Sequence, residues 1–383
     1  MRGAAATRMR QVGGLVALIV ISISLVACVV RPKEAPAIRT IQPMEAVEST
    51  SFDPKHYATH AADPKNDGVH TVLALSAGGA DGAYGAGVLN GWSESGTRPE
   101  FDVVTGVSTG ALMAVGAFLG PEYDDDLERF YTTSKNEDVY RAGTGFLGES
   151  LYDNGPLKEQ IANFVDAELL AKVAAEHAKG RRLYVATTNL DAGDLVIWDM
   201  GDIADGGRTD DVLHFQKVLR ASASVPAFFP PVYIKPQRGI QLRQAHVDGA
   251  VKEPILVKSF MFPDNRGKKE LYMVVNGNTT RLNASQAVQP KALEIAKKAI
   301  MEMMRELQDD TIYRGFVIAG NVRSGYYLTH IPDSIPMSQA SLNFNTERMQ
   351  RLYDAGYQAG LRGPNKWAKE PPRLDKHERL AGR

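Results

Sequence analysis

The pattern of apolar and small residues predicts two consecutive units of strand, turn and helix. In the first unit, an apolar strand over 70–75 leads through a glycine-rich turn into a small-residue helix over 83–92. In the second unit, a strand over 101–105 leads through a turn at Ser108 into a helix over 111–119. Turns of this kind converge at one end of a parallel sheet, which is where open α/β folds bind ligands.

Three further strands and one helix are predicted farther along the chain. Apolar runs at 183–188 and 195–198 flank an Asp-Ala-Gly-Asp turn and predict a hairpin, and residues 271–276 predict another strand. Residues 291–307 carry apolar side chains at helical spacing, which is typical of a helix that packs on a core. A second interpretation places its methionines near a lipid entrance, since methionine suits adaptable apolar surfaces: Met301, Met303 and Met304.

Composition places the chain among ordinary globular proteins. It has 383 residues, of which 44% are hydrophobic and 23% charged, so it can bury a sizeable core in one large domain. Lys and Arg total 44 against 45 Asp and Glu. This balance leaves no basic footprint for nucleic acid, and nucleic-acid binding is therefore excluded.

The amino end is typical of an export signal. Arg2, Arg8 and Arg10 precede an apolar run over 12–30. The tetrad Leu-Val-Ala-Cys near its end resembles the lipobox of bacterial lipoproteins, and Cys28 is the single cysteine of the chain. We therefore expect a cleaved signal peptide and a Cys28 that carries acyl chains such as palmitate. A transmembrane anchor is the alternative, because the run is about long enough to span a bilayer.

The segment after Cys28 is predicted to be a tether. Residues 29–68 contain five prolines and show little apolar periodicity. The residue after Cys28 is Val29. In enterobacterial lipoproteins an aspartate at that position favours retention in the inner membrane, so by resemblance we expect the outer membrane of a bacterial envelope rather than the inner one.

The sequence Gly-Val-Ser-Thr-Gly at 106–110 has the form of a nucleophile elbow. The serine of such an elbow occupies a strained corner between strand and helix, and Gly106 and Gly110 remove side chains that would clash there. Backbone amides and the helix dipole at that position stabilise the charge of a tetrahedral intermediate. The predicted strand and helix on either side supply the required context, so Ser108 is a candidate nucleophile.

The glycine loop at 78–82 supplies consecutive backbone amides at a helix start, which bind anions of several kinds. A dinucleotide site would need Gly-x-Gly-x-x-Gly and a later acidic residue, whereas a phosphate loop would need Gly-Lys-Ser or Gly-Lys-Thr. Neither pattern occurs cleanly. An oxyanion hole formed by the amides around Gly78, Gly79 and Ala80 is the favoured use of this loop.

Two residues are candidates for the base that activates the serine, His246 and Asp248. Histidine is the commoner base, and the order Ser108, Asp191 or Asp194, then His246 matches that of an α/β-hydrolase triad. His246 could equally pack at a strand end. The two candidates alternate on an extended segment, so we expect their side chains to point to opposite faces and only one of them to face the serine.

Four pieces together resemble the patatin-like phospholipases in order and spacing. They are the glycine loop at 78–82, the elbow at 106–110, the stretch 220–232 with its Ala-Ser-x-x-x-Pro-x-x-Phe-Pro-Pro pattern, and Asp-Gly-Ala at 248–250. The resemblance covers roughly residues 70–280. It implies a three-layer α/β/α fold with a mostly parallel central sheet. It also implies a dyad of Ser108 and Asp248, with the loop as oxyanion hole, Gly82 and Gly249 as motif glycines, and no catalytic role for His246.

Two positions depart from the family pattern. The usual glycine triplet reads Ala-Gly-Gly at 77–79, which is tolerable if Ala77 has a negative φ, because the donor is the backbone amide. The Arg or Lys that is common before the last glycine is Asp81. A carboxylate there opposes an anionic group unless it turns outward or pairs with a cation such as Arg220 or Arg243. Neutral and zwitterionic esters therefore stay open as substrates.

The sequence predicts a lipid acyl hydrolase of the phospholipase A type that acts on membrane lipid or another acyl ester. No cofactor or metal is expected, because the acidic clusters at 124–126 and 202–211 lack the periodicity of a calcium loop and are predicted to be solvated loops. Two alternatives remain open. One is a triad esterase that uses His246; the other is an envelope lipoprotein that uses the fold to bind lipid or as a scaffold, without catalysis.

The predicted organisation has five parts. They are a signal peptide over 1–27, a lipid-anchored tether over 28–68, a patatin-like catalytic core over 69–285, a C-terminal helical part packed on the core over 286–361, and a polar tail over 362–383.

Overall fold

The computed structural model describes residues 46–48, 68–143, 148–207, 209–235, 243–263, 267–278, 288–335 and 341–372. The expected signal peptide, Cys28, nearly all of the tether and the end of the tail lie outside these residues. By its contacts the chain divides into two units, Met1–Arg39 and Thr40–Arg383, and the fold given below is that of the second. None of the helices in the described ranges is both long and apolar enough to cross a membrane.

A mostly parallel sheet of nine strands forms the centre of the described structure. Its main path runs through β1 (Ala46–Glu48), β7 (Asp194–Asp199), β6 (Arg182–Asn189), β3 (Val103–Val107), β2 (Val69–Leu75), β10 (Lys268–Val275) and β11 (Gly325–His330). The last five strands of this path are parallel, whereas β7 and β1 are antiparallel to their neighbours. β8 (Val232–Ile234) and β9 (Gln244–Asp248) join at the end of β6, and β4 (Arg141–Ala142) pairs separately with β5 (Tyr152–Asp153).

Helices cover both faces of this sheet. They are α1 (Ala83–Glu94), α2 (Thr109–Leu119), α3 (Asp124–Thr133), α4 (Asn136–Val139), α5 (Gly155–Phe164), α6 (Ala167–Ala178), α7 (Met200–Ala204), α8 (Asp211–Ser222), α9 (Ala292–Asn321) and α10 (Thr346–Arg362). Buried side chains of α1, α2, α3, α5, α6, α8 and α10 form one core with one face of the sheet. The second half of α9 and the segment 255–262 form another core with the opposite face.

Alternate residues of the parallel strands supply these two cores. Leu73 and Leu75 of β2 belong to the first core, whereas Val72 and Ala74 belong to the second. Successive side chains of a strand point to opposite faces, and a parallel sheet covered on both faces needs apolar residues at both sets of positions. The expected three-layer α/β/α architecture with a mostly parallel central sheet is therefore confirmed.

Most of the predicted elements are present, with shifted ends. Both predicted units of strand, turn and helix form, as β2 with α1 and β3 with α2. The hairpin forms as β6 and β7, and the strand predicted at 271–276 forms as β10. The part after residue 285 also contributes a strand, β11, which pairs with β10 at the edge of the sheet.

The predicted helix at 291–307 is only the first half of α9. The fully buried residues of α9 all lie in its second half, from Gln308 to Ala319. Met303 in the first half is 59% exposed, whereas Met304 is partly buried against the second core, so this half packs on the core only in part. The prediction of a lipid entrance beside its methionines stays a prediction.

The acidic clusters were expected to be solvated loops, and this expectation was wrong only in part: most of their aspartates are exposed, but several lie in helices and two are buried. Asp124 begins α3 and is buried, because it accepts a hydrogen bond of 2.8 Å from Nη1 of Arg98. Asp211 begins α8 and is also buried. Acidic residues are favoured in the first turn of a helix, where the macrodipole is positive, and this explains their placement.

Helices α1 and α10 cross with their backbones in contact. A Cβ on Gly87 would overlap the carbonyl oxygen of Tyr353, and a Cβ on Gly356 would overlap that of Tyr84. Gly91 and Gly360 are in the same situation. The crossing fixes the start of α1, which follows the glycine loop, against α10.

We predict that Gly356→Ala destabilises the protein by about 1–3 kcal/mol, the usual cost of overpacking, although alanine is the better helix former. The control is Gly320→Ala in the last turn of α9, where a Cβ would meet no atom within 4 Å. Urea unfolding should give a lower free energy of unfolding for Gly356→Ala than for the parent, and no decrease for Gly320→Ala. Equal stability of the two variants would contradict the close crossing.

Candidate active site

Strand β6 brings the two candidate catalytic residues together because it is longer than β3. Its first part pairs with β3, where Val107 lies opposite Ala186, and its next residue, Thr187, lies opposite Asp248 of β9. β7 occupies the other edge of β6 over the same residues, so β3 and β9 share one edge. The end of β9 therefore meets the end of β3, and Ser108 follows directly after β3.

Ser108 has the strained backbone of a nucleophile elbow. Its φ of 57° and ψ of −123° lie in a region that costs a residue other than glycine on the order of 1–3 kcal/mol. Its amide donates a 2.9 Å hydrogen bond to Oγ of Ser222, whose hydroxyl donates in turn to the carbonyl of Ala186 at 2.7 Å. These bonds hold Ser108 at the amino end of α2, as the sequence predicted for an elbow.

The four motif glycines lie where the two loops and the sheet approach too closely for a side chain. A Cβ on Gly106 or Gly110 would overlap backbone carbonyls of Gly110 and Leu75, respectively. A Cβ on Gly249 would overlap the carbonyl of Ala186, and one on Gly82 would overlap Oγ1 of Thr109. Their role is therefore to allow the close approach of the loops around Ser108.

Asp248 is fully buried, and its surroundings raise the pKa of its carboxyl into the neutral range. Burial raises the pKa of Asp248 to about 7, while the Ser108 hydroxyl and the Ala250 amide act in the opposite direction. The Ala250 amide donates to Oδ1 at 2.8 Å, and the Asp248 amide donates to the carbonyl of Ser224 at 2.9 Å. A carboxyl with such a pKa is a good proton acceptor near neutral pH.

The contact between Ser108 and Asp248 is looser than a formed hydrogen bond. The Ser108 hydroxyl is close enough to lower the pKa of Asp248, yet Oδ2 of Asp248 has no hydrogen-bond partner within the described residues. Catalytic hydrogen bonds are commonly long without substrate and shorten in the reacting complex.

His246 is buried on β9 in a different set of contacts. Nδ1 of His246 lies 2.9 Å from Oγ1 of Thr187, and its ring lies 5.5 Å from that of Trp198. Burial lowers the pKa of His246 to about 4. The expectation that His246 and Asp248 point to opposite faces was wrong, because residues two apart in a strand share a face. Their neighbours distinguish them: the Ser108 hydroxyl lowers the pKa of Asp248, whereas His246 packs against Trp198.

Of the three loop amides that were expected to form the oxyanion hole, that of Ala80 is already occupied. Within the described residues, the amides of Gly78 and Gly79 donate to no other group, whereas the amide of Ala80 donates to the carbonyl of Ser341 at 2.7 Å. Gly79 has a φ of 58°, and a Cβ there would overlap the same Ser341 oxygen. The segment that precedes α10 thus lies directly on the loop and occupies the Ala80 amide.

Asn276 fixes both ends of this loop. Its side-chain amide donates to the carbonyl of Ser76 at 2.9 Å, and its Oδ1 accepts from the amide of Gly85 at 3.0 Å. Ala77 is not among the described residues with positive φ, so alanine is tolerated at this position as expected. Asn276 follows β10 and has no counterpart among the motifs in the sequence.

Asp81 is paired with a cation, but neither Arg220 nor Arg243 supplies it. The Asp81 carboxyl is buried beneath the loop, and its Oδ1 accepts from Nη1 of Arg348 in the first turn of α10. Burial raises the pKa of Asp81 to about 6, while Arg348 and, at longer range, Arg305 oppose that rise. The ion pair places a positive charge beside the loop from a distant part of the chain.

One group of side chains in the described residues has the composition of a metal site. Single ligand atoms of His177, Asp199 and Asp202 lie within 4.8 Å of one another. The fit is poor, because Oδ1 of Asp199 already accepts from the amides of Gly201 and Asp202 at the start of α7. These residues lie at the ends of α6 and α7, and no catalytic step is assigned to them.

One protein family and one solved structure are similar to this chain. The family model for patatin-like phospholipases matches residues 73–261, which contain the glycine loop, the elbow and Asp248. No curated protein sequence matches the chain. The crystal structure of VipD from Legionella pneumophila is similar over 76% of this chain and 66% of that protein, just under two thirds of its length. The identity is 13% and the TM-score 0.43, too low to support an argument.

We predict that Asp248→Asn is more stable than the parent protein above neutral pH. The folded-state pKa of Asp248 is raised from 3.8 to about 7, so the stability present below pH 4 is lost as the pH rises through 7. Asparagine has the same shape and no charge to bury. In urea unfolding, Asp248→Asn should have a higher free energy of unfolding than the parent at pH 8, and the difference should be smaller at pH 4. The same stability difference between variant and parent at both pH values would show that burial does not raise the pKa of Asp248.

Proposed function

Because residues 73–261 belong to the patatin-like phospholipase family, we propose that this protein is a lipid acyl hydrolase with Ser108 as nucleophile and Asp248 as general base. The observation that carries the proposal is the shared edge of β6. It sets the end of β9 against the end of β3, and thereby a buried carboxyl against a strained serine. The family indicates hydrolysis of a lipid ester; the dyad is our assignment.

The reaction follows from the groups in the site. Oγ of Ser108 attacks the acyl carbonyl carbon as Asp248 accepts its proton, and the amides of Gly78 and Gly79 hold the oxyanion. Collapse of the intermediate breaks the ester bond, and Asp248 returns the proton to the leaving alcohol. Water then attacks the acyl-enzyme, with Asp248 again as base, and releases the acid and the free serine.

Burial of Asp248 makes this chemistry practicable without histidine. An ordinary aspartate is a weak base toward serine because its pKa is far below that of a hydroxyl. A pKa of about 7 reduces this mismatch while still leaving a substantial ionised fraction at neutral pH. We expect the His246 triad to be the wrong alternative, because the depressed pKa of His246 makes it a poor base.

The charges beside the glycine loop do not require the ester substrate to carry a negative head group. Asp81 and Arg348 largely neutralise each other, so the loop presents neither the lone cation of the family pattern nor a lone carboxylate. Neutral and zwitterionic lipid esters are the substrates that suit this balance. The occupied Ala80 amide is the one observation that favours the non-catalytic alternative, in which the fold only binds lipid.

We also propose that Cys28 is lipidated and anchors the protein in a bacterial envelope, in the outer membrane rather than the inner. The support is the order of Arg-rich start, apolar run and Leu-Val-Ala-Cys, with no other cysteine in the chain. Multiple acyl chains give stable attachment, since each buried methylene contributes about 0.8 kcal/mol. The anchor would place the hydrolase at a lipid surface.

Substitution of the two proposed catalytic residues should abolish hydrolysis of a short-chain chromogenic ester. We expect Ser108→Ala and Asp248→Asn to lower kcat by about a thousandfold or more, as for other nucleophile and base removals. The matched control is His246→Asn, which keeps a polar atom near Nδ1 and should retain activity close to that of the parent. Loss of activity in His246→Asn with full activity in Asp248→Asn would reverse the assignment. Equal rates for the parent and Ser108→Ala, both folded, would favour the binding function.

Lipidation is tested by metabolic labelling with radioactive palmitate. The full-length protein should incorporate label and sediment with membranes, and Cys28→Ala should incorporate none. Label in the variant would exclude Cys28 as the attachment point, and unlabelled protein that still sediments would support a transmembrane anchor.

A further inference from the structure

A cavity of about 710 Å³ lies between helices α3, α5 and α6, on the outer side of α2. This volume is in the range of sites that hold small molecules, about 300–1,000 Å³. Apolar side chains from four helices form part of its lining: Leu112, Leu127, Phe130, Ile161, Phe164 and Leu219. We refer to it as the α3–α5–α6 cavity.

The inner end of this cavity lies directly behind the proposed nucleophile. Leu112 is one turn of α2 beyond Ser108, and it is the only residue between Thr109 and Phe118 that is not fully buried. Leu219 is one turn of α8 before Ser222, whose Oγ accepts from the Ser108 amide. The cavity wall therefore touches the two helices that hold the elbow.

Tyr131 forms the part of the wall that lies between the two loops of the site. Its hydroxyl donates to the carbonyl of Thr109 at 3.0 Å and also contacts the Thr109 side chain. On its other side, its ring lies against Gly82, where a Cβ would come within 2.7 Å of Cε1. The cavity is thus separated from both the elbow and the glycine loop by a single side chain.

The polar groups of the cavity leave little for a charged ligand. At the outer rim, Arg129 is paired with Asp126, and Lys172 lies 3.4 Å from Glu168. At the inner end, the Tyr131 hydroxyl is already hydrogen-bonded to Thr109. The lining is mixed, with polar and apolar residues in similar number, but the apolar side chains of α2, α3, α5 and α8 form a continuous part of it. That part suits an uncharged hydrocarbon chain rather than a nucleotide or a phosphate.

We propose that the α3–α5–α6 cavity binds the acyl chain of the ester whose carbonyl lies at Ser108, an inference that rests on the hydrolase function proposed above. Tyr131 is fully buried between the two loops, so entry of the chain requires its side chain to rotate away from Thr109 and Gly82. The chain would then run outward along Leu112 between α3 and α5. The cavity then selects acyl length, whereas the glycine loop and Asp248 carry out the reaction. Ile161 and Phe164 on α5 are the residues that set the available length.

The test is a series of p-nitrophenyl esters from acetate to decanoate, measured below their aggregation concentrations. For the parent protein, kcat/KM should rise about fourfold per methylene, the equivalent of about 0.8 kcal/mol, until the cavity is full. Ile161→Trp reduces the cavity, so the rise should stop at a shorter chain while acetate hydrolysis is unchanged. Phe164→Ala enlarges it from a half-buried position, and the rise should continue to longer chains.

The matched control is Val212→Trp, which also adds an indole at a partly buried aliphatic position, on α8 but outside the cavity. Its length profile should equal that of the parent. Folding of each variant is checked by its thermal transition, and Phe164→Ala provides an independent reading if Ile161→Trp does not fold. Length profiles of folded Ile161→Trp and Phe164→Ala that both equal the parent profile would overturn the proposal.

Binding of cis-parinaric acid separates failure of this proposal from failure of the hydrolase function. Ser108→Ala should bind the probe, with its fluorescence enhanced, and Ser108→Ala with Ile161→Trp should bind it at least tenfold more weakly. If the probe binds in this way but the parent hydrolyses no ester, the cavity is supported as a binding site for an apolar chain and the hydrolase function is contradicted. Hydrolysis with equal probe binding in both variants would keep the hydrolase and reject the cavity as the chain site.

Discussion

The shared edge of β6 is the constraint on which the candidate site depends. The first five residues of β6 pair with β3, and its next three pair with β9 along the same edge. The ends of β3 and β9, which are distant in the chain, therefore lie next to each other. Backbone hydrogen bonds fix this register, and a slip by one residue would reverse the faces of every side chain on β9. The backbone amide of Ser108 donates a hydrogen bond to Oγ of Ser222, and the backbone amide of Asp248 donates to the carbonyl of Ser224. Precision at the site thus comes from the sheet ladder rather than from flexible loops.

Two features of the candidate site cost stability. Ser108 keeps a backbone conformation that is unfavourable for serine, and Asp248 keeps a buried carboxyl with one oxygen unpartnered in the described structure. Both are held by surrounding packing, which includes the close crossing of α1 and α10. The same α10 carries Arg348 to Asp81, and the segment before it covers the Ala80 amide. The C-terminal helix is therefore part of the site, although the matched family region ends at residue 261.

Sequence patterns were sufficient for the parts of the site that are local in the chain. The strand before Ser108, the helix after it and the glycines around both turns follow from short-range steric rules, and all are present. Interactions between distant segments could not be predicted. Arg348 and Asn276 act on the glycine loop from more than 190 positions away, and no local pattern marks them. The acidic start of α3 was misassigned because its partner, Arg98, lies in another segment.

The pH dependence of the reaction of Ser108 with a fluorophosphonate tests the central claim most directly, because it measures activation of the serine without a lipid substrate. Ser108→Ala provides the baseline. If Asp248 is the base, the rate for the parent should fall as the pH is lowered through about 7, and Asp248→Asn should react slowly with no such inflection. A rate for the parent that is independent of pH in this window, or an inflection that persists in Asp248→Asn, would contradict the dyad.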